Sequence, residues 1–285
     1  MKGRFTTRII VAVGILLLTA FDGFASGIPS GGKLVRAEEL APGVQLRQYE
    51  FGKLYGGSQF VSVAQIELDR PGLVLGIGVC NDRTRMTLGE MARRDHALLA
   101  INSGYFFMAD PSAPAGALKH GGVTESTGDI GNGVGGVVAF TGGRVEIRPL
   151  SELQSCLSHE NFRAGFPLLV NRGAICANLG ESEHALDRHP RTAVGLDNAR
   201  HFYWVTFDGR ADGRADGVDC RSLADFMRQL GCEYALNMDG GGSTMMWARP
   251  HGIVNHPSDN HRFDAAGERV IYDSLYIRTV NPSKK

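Results

Sequence analysis

Residues 237–244 read Asn-Met-Asp-Gly-Gly-Gly-Ser-Thr, with a carboxylate and an amide before three glycines and two hydroxyls after them. Side chains of these kinds bind polar ligands and move protons. Successive glycines let the backbone turn sharply and bring its N–H groups close to an anion. Asp239 and Ser243 would then stand at the two ends of a small anion-friendly concavity. The same glycines would equally suit a hairpin turn with incidental polar neighbours. A second aspartate followed by glycine, Asp208 and Gly209, ends the aromatic and branched run 201–207.

Both aspartates must be delivered by flanking elements. Residues 234–238 are short and apolar enough for a buried strand, and 201–207 reads as a strand rich in aromatic and branched residues. Between them Leu223, Phe226, Met227 and Leu230 fall on one face of a helix over 220–231, with Asp219 as N-cap and Gly231 as its stop. A strand over 97–101 delivers Asn102, after a short helix over 87–95 that Thr87 and Glu90 close with a capping box. Further strands are expected at 46–51, 60–68 and 73–79, and hairpins at 137–147 and 167–176. Residues 110–136, rich in Pro, Gly, Ser and Asp, read as a loop over the site.

These blocks carry a resemblance. Arg191-Thr-Ala-Val-Gly, Asp208-Gly-Arg, Leu236-Asn-Met-Asp-Gly-Gly-Gly-Ser-Thr, Val254-Asn-His-Pro-Ser-Asp and Glu268-Arg-Val resemble, in order, the motifs of the phosphodiester glycosidase family. Ala100-Ile-Asn-Ser-Gly-Tyr-Phe-Phe resembles a further block, with Ser103 where the family has a glycine, a residue type that tolerates positive φ poorly. The resemblance covers residues 97–280 and implies a hydrolase that cleaves a sugar-1-phosphodiester.

Such a substrate carries one negative charge, so its site needs a cation and hydrogen-bond donors for the phosphate and a proton-transfer group near the scissile bond. Arg191 offers a bidentate fork, and Thr192, Ser243 and the amides of Gly240, Gly241 and Gly242 offer donors. Asp239 and Asp208 are the candidate catalytic carboxylates, since two carboxylates flanking the bond are usual in glycoside hydrolysis. His189 and His256 could each be the general acid, or an ordinary surface or core histidine. Asn102, Asn237, Thr244, Asn255, Ser258 and Arg269 complete the candidate binding set, with Arg269 also able to pair with Asp239. A non-catalytic module that holds phosphorylated cell-wall or exopolysaccharide glycans is the alternative.

Composition agrees with one exported catalytic domain. The 38 glycines among 285 residues favour a turn-rich fold with many short strands. Thirty basic and thirty acidic residues cancel, so charge gives no reason to expect nucleic acid or an anionic membrane as partner. The expected class is α+β, a curved, mostly antiparallel sheet with a few packed helices, in a single catalytic domain over 97–280 preceded by a strand-rich region over 26–96. Lys2, Arg4 and Arg8 before the apolar run 9–20, with small residues at Gly23 and Ala25, read as a signal peptide over 1–25 and hence export.

Five cysteines leave at least one unpaired in an exported protein. Cys220 and Cys232 bracket the expected helix and lie ~18 Å apart along it, too far to bridge. Cys156 and Cys176 are the expected disulfide, and Cys80 and Cys232 are small buried hydrophobes. No zinc spacing, nucleotide P-loop, GxSxG elbow or HExxH pair occurs, and no cofactor is required, although a divalent cation such as calcium is compatible. The aspartates 208, 212, 216 and 219 do not fit the EF-hand spacing; Asp212 and Asp216 read as a solvated loop.

Overall fold

The computed structural model describes residues 27–80, 84–109, 113–130 and 133–280. The expected signal peptide lies outside the described residues. In chain order the elements are β1 (Gly32–Ala41), β2 (Val44–Leu54), β3 (Gly57–Glu67), β4 (Leu73–Val79), β5 (Met86–Thr87), α1 (Leu88–Arg94), β6 (Leu99–Asn102), β7 (Leu118–His120), β8 (Val123–Ser126), β9 (Gly136–Thr141) and β10 (Arg144–Pro149). They continue as α2 (Leu153–Cys156), β11 (Asn161–Gly165), β12 (Leu168–Asn171), β13 (Ala174–Ile175), α3 (Glu183–Leu186), β14 (Arg191–Leu196), β15 (His201–Phe207), α4 (Cys220–Gln229), β16 (Tyr234–Asn237), β17 (Met246–Ala248), β18 (Gly252–Ile253), β19 (Val270–Ile271) and β20 (Asp273–Thr279).

An eight-stranded sheet runs β1-β2-β3-β15-β14-β16-β12-β13, and two five-stranded sheets run β10-β9-β11-β7-β8 and β18-β17-β6-β20-β4. Pairings in all three are antiparallel, as in β14 with β15 and β6 with β20, so the α+β class with few helices holds. The first strands, from the region before residue 97, continue the same sheet that carries β14–β16.

Both faces of that sheet are covered. Side chains alternate across a strand: along β15, Phe202 and Trp204 enter the main core while Tyr203, Val205 and Phe207 join the cluster under α4. This explains why 201–207 reads as an unbroken apolar run. The α4 helix lies where its apolar stripe predicts, with Asp219 accepting from the Ser222 amide at 2.7 Å and Gly231 at φ 90° beyond its end. The Thr87–Glu90 capping box forms at α1.

Four expectations need correction. All five cysteines are free thiols, so the expected Cys156–Cys176 disulfide does not form. Cys156 is buried with Phe162 and Val137, whereas Cys176 follows β13 and packs against the two clusters flanking the large sheet. Residues 110–136 are not all loop, because β7 and β8 pair within them as the edge of a sheet. Those strands are too short, and β8 too exposed, to show a periodic apolar pattern. Ser103 is absent from the left-handed residues, so serine is unstrained there. Asp216 is half-buried and accepts from the Ser58 amide at 2.9 Å, which ties its loop to β3.

Candidate active site

Asp239 emerges from β16, held at its backbone by the end of β6. Its amide donates to the Ser103 carbonyl at 2.9 Å, and Asn102 Nδ2 donates to its carbonyl at 2.7 Å. Asn102 Oδ1 also accepts from the Thr192 hydroxyl at 2.7 Å and the Met245 amide at 3.1 Å. Asn102 and Thr192, both fully buried, thus fasten three segments together beneath the site.

The glycines then fold into a single 3-10 turn over Gly241–Ser243. Gly241 adopts φ 61°, a conformation that favours glycine, and a Cβ at Gly242 would collide with the Asp259 carboxylate. The amides of Gly240 and Gly241 are not free for a ligand: they donate to Asp239 Oδ1 at 2.9 Å and the Pro190 carbonyl at 2.8 Å. The triple glycine therefore serves close packing as much as anion binding.

A cavity of about 450 Å³ opens over this turn, lined by Tyr105, Glu183, His184, Asp187, His189, Arg210, Asp239, Gly240, Gly241, Gly242 and Arg269. Burial pushes the Asp239 carboxyl up to about 6, against the Ser243 hydroxyl, the Gly240 amide and the Arg269 charge, which lower it. The buried Ser243 hydroxyl acts by proximity and completes no hydrogen bond of full geometry. The His184 imidazole is held down to about 4 by burial, then by Arg191 and His189. His189 is lowered by burial, Arg191 and Arg210. Both rings are therefore neutral near pH 7.

The remaining candidates divide. Arg191 is wholly buried, and its guanidinium donates to the carbonyls of Val218 at 3.0 Å, Asp187 at 3.0 Å and His184. It braces the α3 segment and lends the cavity charge without lining it. Asn237 is also a brace, donating to the Tyr105 hydroxyl at 2.8 Å and the Phe166 carbonyl at 2.7 Å. Arg269 does line the cavity, but its bidentate partner is Asp259 at 2.7 and 2.9 Å, not Asp239. Ser258 is buried and accepts from Arg210 at 3.4 Å, and Thr244 is buried beside the turn.

Asp208 is not brought to the cavity. It is buried, Oδ1 accepts from Asn255 Nδ2 at 2.8 Å, and Oδ2 accepts from the His256 amide at 3.0 Å and meets His256 Nδ1 at 2.7 Å. His256 stacks on Phe263 with centroids 3.7 Å apart, and neither ring lines Asp239's cavity. Asn255 in turn accepts from the Met246 amide and donates to the Thr244 carbonyl.

Arg210, Tyr105, His184, Glu183 and Asp187 line the cavity without having been singled out by sequence. Arg210 takes a left-handed φ of 60°, and no carboxylate among the described residues lies within salt-bridge distance of it. Its only signal was its place directly after Asp208-Gly209. Tyr105 lay inside the 100–107 block; its hydroxyl, at 3.0 Å from His184 Nε2, stays protonated because burial raises it far above its usual range. His184 sits in polar sequence with no period. Among the described residues, no group of three or more His, Cys, Asp or Glu is arranged to hold a metal ion.

Comparison with known proteins gives the family and the fold. The phosphodiester glycosidase family model matches residues 95–278. N-acetylglucosamine-1-phosphodiester alpha-N-acetylglucosaminidase from Bos taurus is 26% identical over 202 residues, 65% of this chain and 37% of that protein. The Homo sapiens protein of the same name is 25% identical over 202 residues. The chain thus spans little more than a third of the length of these relatives. Among solved structures, the zebrafish catalytic domain of that enzyme, auto-inhibited by its pro-peptide, aligns with a TM-score of 0.64 at 18% identity, covering 87% of this chain and 88% of that one. A hypothetical protein from Synechocystis aligns with a TM-score of 0.68 at 15% identity, covering 88% of this chain and 69% of that one. These likenesses share the fold described above, and with the family match over 95–278 the chain belongs to the phosphodiester glycosidase family.

Proposed function

We propose that the cavity hydrolyses a sugar-1-phosphodiester, with Asp239 as the proton-transfer group and Arg210, aided by Arg269, receiving the phosphate. The observation that carries this reading is a carboxyl raised to about 6 by burial that lines one cavity together with two guanidinium groups. A catalytic acid or base works best with a pKa near the working pH, and a guanidinium fork matches phosphate oxygens. In the reaction, water attacks the sugar C1 carbon and the C1–O bond to phosphate breaks. Asp239, ionised above about pH 6, takes the proton of the water; the products are a free sugar and a phosphomonoester. Glu183, Asp187 and neutral His184, which line the cavity, supply hydrogen bonds to sugar hydroxyls.

The names of the relatives support an N-acetylglucosaminyl group as the first sugar to try, and the N-terminal sequence supports export and a cell-envelope or exopolysaccharide glycan as the natural source. The test is release of free sugar from methyl N-acetylglucosaminyl-1-phosphate diester by the wild type and by Asp239→Asn. Saturable binding with no product in the wild type would make the protein a glycan-phosphate binding module instead.

A further inference from the structure

The cavity is polar within, and exposed apolar side chains stand close in sequence to residues that line it. Among the described residues no aliphatic side chain lines it, yet Leu186, 64% exposed, sits between His184 and Asp187 in sequence, which both do. Phe107 and Met108, 56% and 64% exposed, follow two and three residues after Tyr105, another lining residue. The two segments meet where the Tyr105 hydroxyl lies 3.0 Å from His184 Nε2. The other large exposed apolar side chains among the described residues, Leu34, Val35, Val123, Val270 and Val280, lie in β1, β8, β19 or just past β20.

The backbone that carries Phe107 and Met108 is held in place, and the Met108 sulfur accepts from Arg85 Nη1 at 3.9 Å. Their arm is closed by Ala115 donating to the Tyr105 carbonyl at 2.8 Å and by the bridge of Phe106 with Pro114. Arg85 donates to the carbonyls of Phe107 at 2.7 Å and Met108 at 2.8 Å and lies 4.6 Å over the Phe106 ring. Large apolar side chains left exposed on a fixed backbone forgo burial, which suits a surface that gains it from a ligand. The two ester substituents of a phosphate point apart, so a sugar seated at Asp239 sends the other substituent out past this rim.

We propose that Phe107, Met108 and Leu186 form an apolar subsite at the mouth of the cavity, and that it takes a hydrocarbon chain on the alcohol side of the diester. The substrate class is then an amphiphilic, lipid-like sugar phosphodiester. This rests on the hydrolase reading, but the subsite can be tested apart from it. Each buried methylene strengthens binding several-fold, so an octyl chain lying half-buried on the rim should raise kcat/KM by ~10-fold or more over methyl.

The experiment compares methyl and octyl N-acetylglucosaminyl-1-phosphate diesters, below micellar concentration, on the wild type and on a Phe107→Ser/Met108→Ser/Leu186→Ser variant. Calorimetric binding of dimethyl phosphate and methyl octyl phosphate is measured on both. The expected result is a strong octyl preference in the wild type that collapses toward 1 in the variant, with methyl turnover and melting temperature unchanged. Equal handling of the two chains by the wild type, or an octyl preference that survives in the variant, overturns the subsite. So does a rim that binds phosphatidylcholine vesicles while showing no chain-length preference, which would make it a bilayer-docking face. If neither sugar diester is turned over, the hydrolase reading fails, and the calorimetric octyl preference alone decides the subsite.

Discussion

Asp239 and Asp208 make a controlled comparison within one molecule. Each follows a buried strand of the same sheet, each precedes glycine, and burial raises the pKa of both. Asp239 has one oxygen bonded to the neighbouring Gly240 amide and lines a cavity that two guanidinium groups also line. Asp208 has both oxygens taken, by Asn255 and His256, and does not line that cavity. A strand delivering an aspartate into a glycine turn is thus a placement, not yet a role; the role follows from whether donors leave the carboxylate anything to do.

The sharpest break of this comparison is Asp239→Asn. Loss of a positioned proton-transfer group should lower turnover ~10²–10⁴-fold. Stability should rise instead of fall, by about 1–3 kcal/mol near pH 7, because a buried carboxyl that is reluctant to ionise is replaced by a neutral amide. Hydrolysis rates beside melting curves check both halves, and normal turnover would move the chemistry elsewhere.

Asp208→Ala should show the reverse pattern. It strands the buried Asn255 amide and leaves the half-buried His256 ring without its partner, at a cost of about 3–5 kcal/mol. The fraction that remains folded should keep turnover within ~10-fold of wild type. Urea unfolding with turnover per folded molecule reads this out. A loss as deep as that of Asp239→Asn, in protein that melts normally, would restore Asp208 to the chemistry.

Arg210→Ala asks whether the cavity's charge binds phosphate. KM for the diester should rise ~10–100-fold, weakening further with added salt, while stability moves by no more than about 0.5 kcal/mol, as for surface changes. Steady-state kinetics at two ionic strengths suffice, and an unchanged KM would shift the phosphate to Arg269.

The smallest effect is the pH dependence. Since the folded-state pKa of Asp239 is about 6 against 3.8 as its ordinary value, the native state keeps a proton that the unfolded chain has lost. Its contribution to stability is therefore best below about pH 4 and is lost as pH rises from 4 to 6. The stability gap between Asp239→Asn and wild type should widen over that window and stay level above it, while wild-type kcat/KM climbs through about pH 6. A gap independent of pH would mean that Asp239 ionises as an ordinary carboxyl.

What could be read from the chain by itself was local. The apolar stripe of α4 and its Asp219 cap, the Thr87 capping box, the buried strands that carry Asp208 and Asp239, and the hairpin between Val137 and Ile147 depend on residues a few positions apart. Those neighbours are covalently guaranteed. Tertiary structure decided what met what: Asn102 with Asp239 across 137 residues, Tyr105 with His184 across 79, Asp208 with His256 across 48. It sent Arg269 to Asp259 and left Cys156 and Cys176 apart. It also set Arg210 on the cavity wall by a left-handed turn that the preceding Asp208 and Gly209 did not announce. A carboxyl's pKa and free lone pairs depend on burial and on partners supplied by distant strands, so the sequence could name Asp239 and Asp208 together, and only the packed sheets could tell them apart.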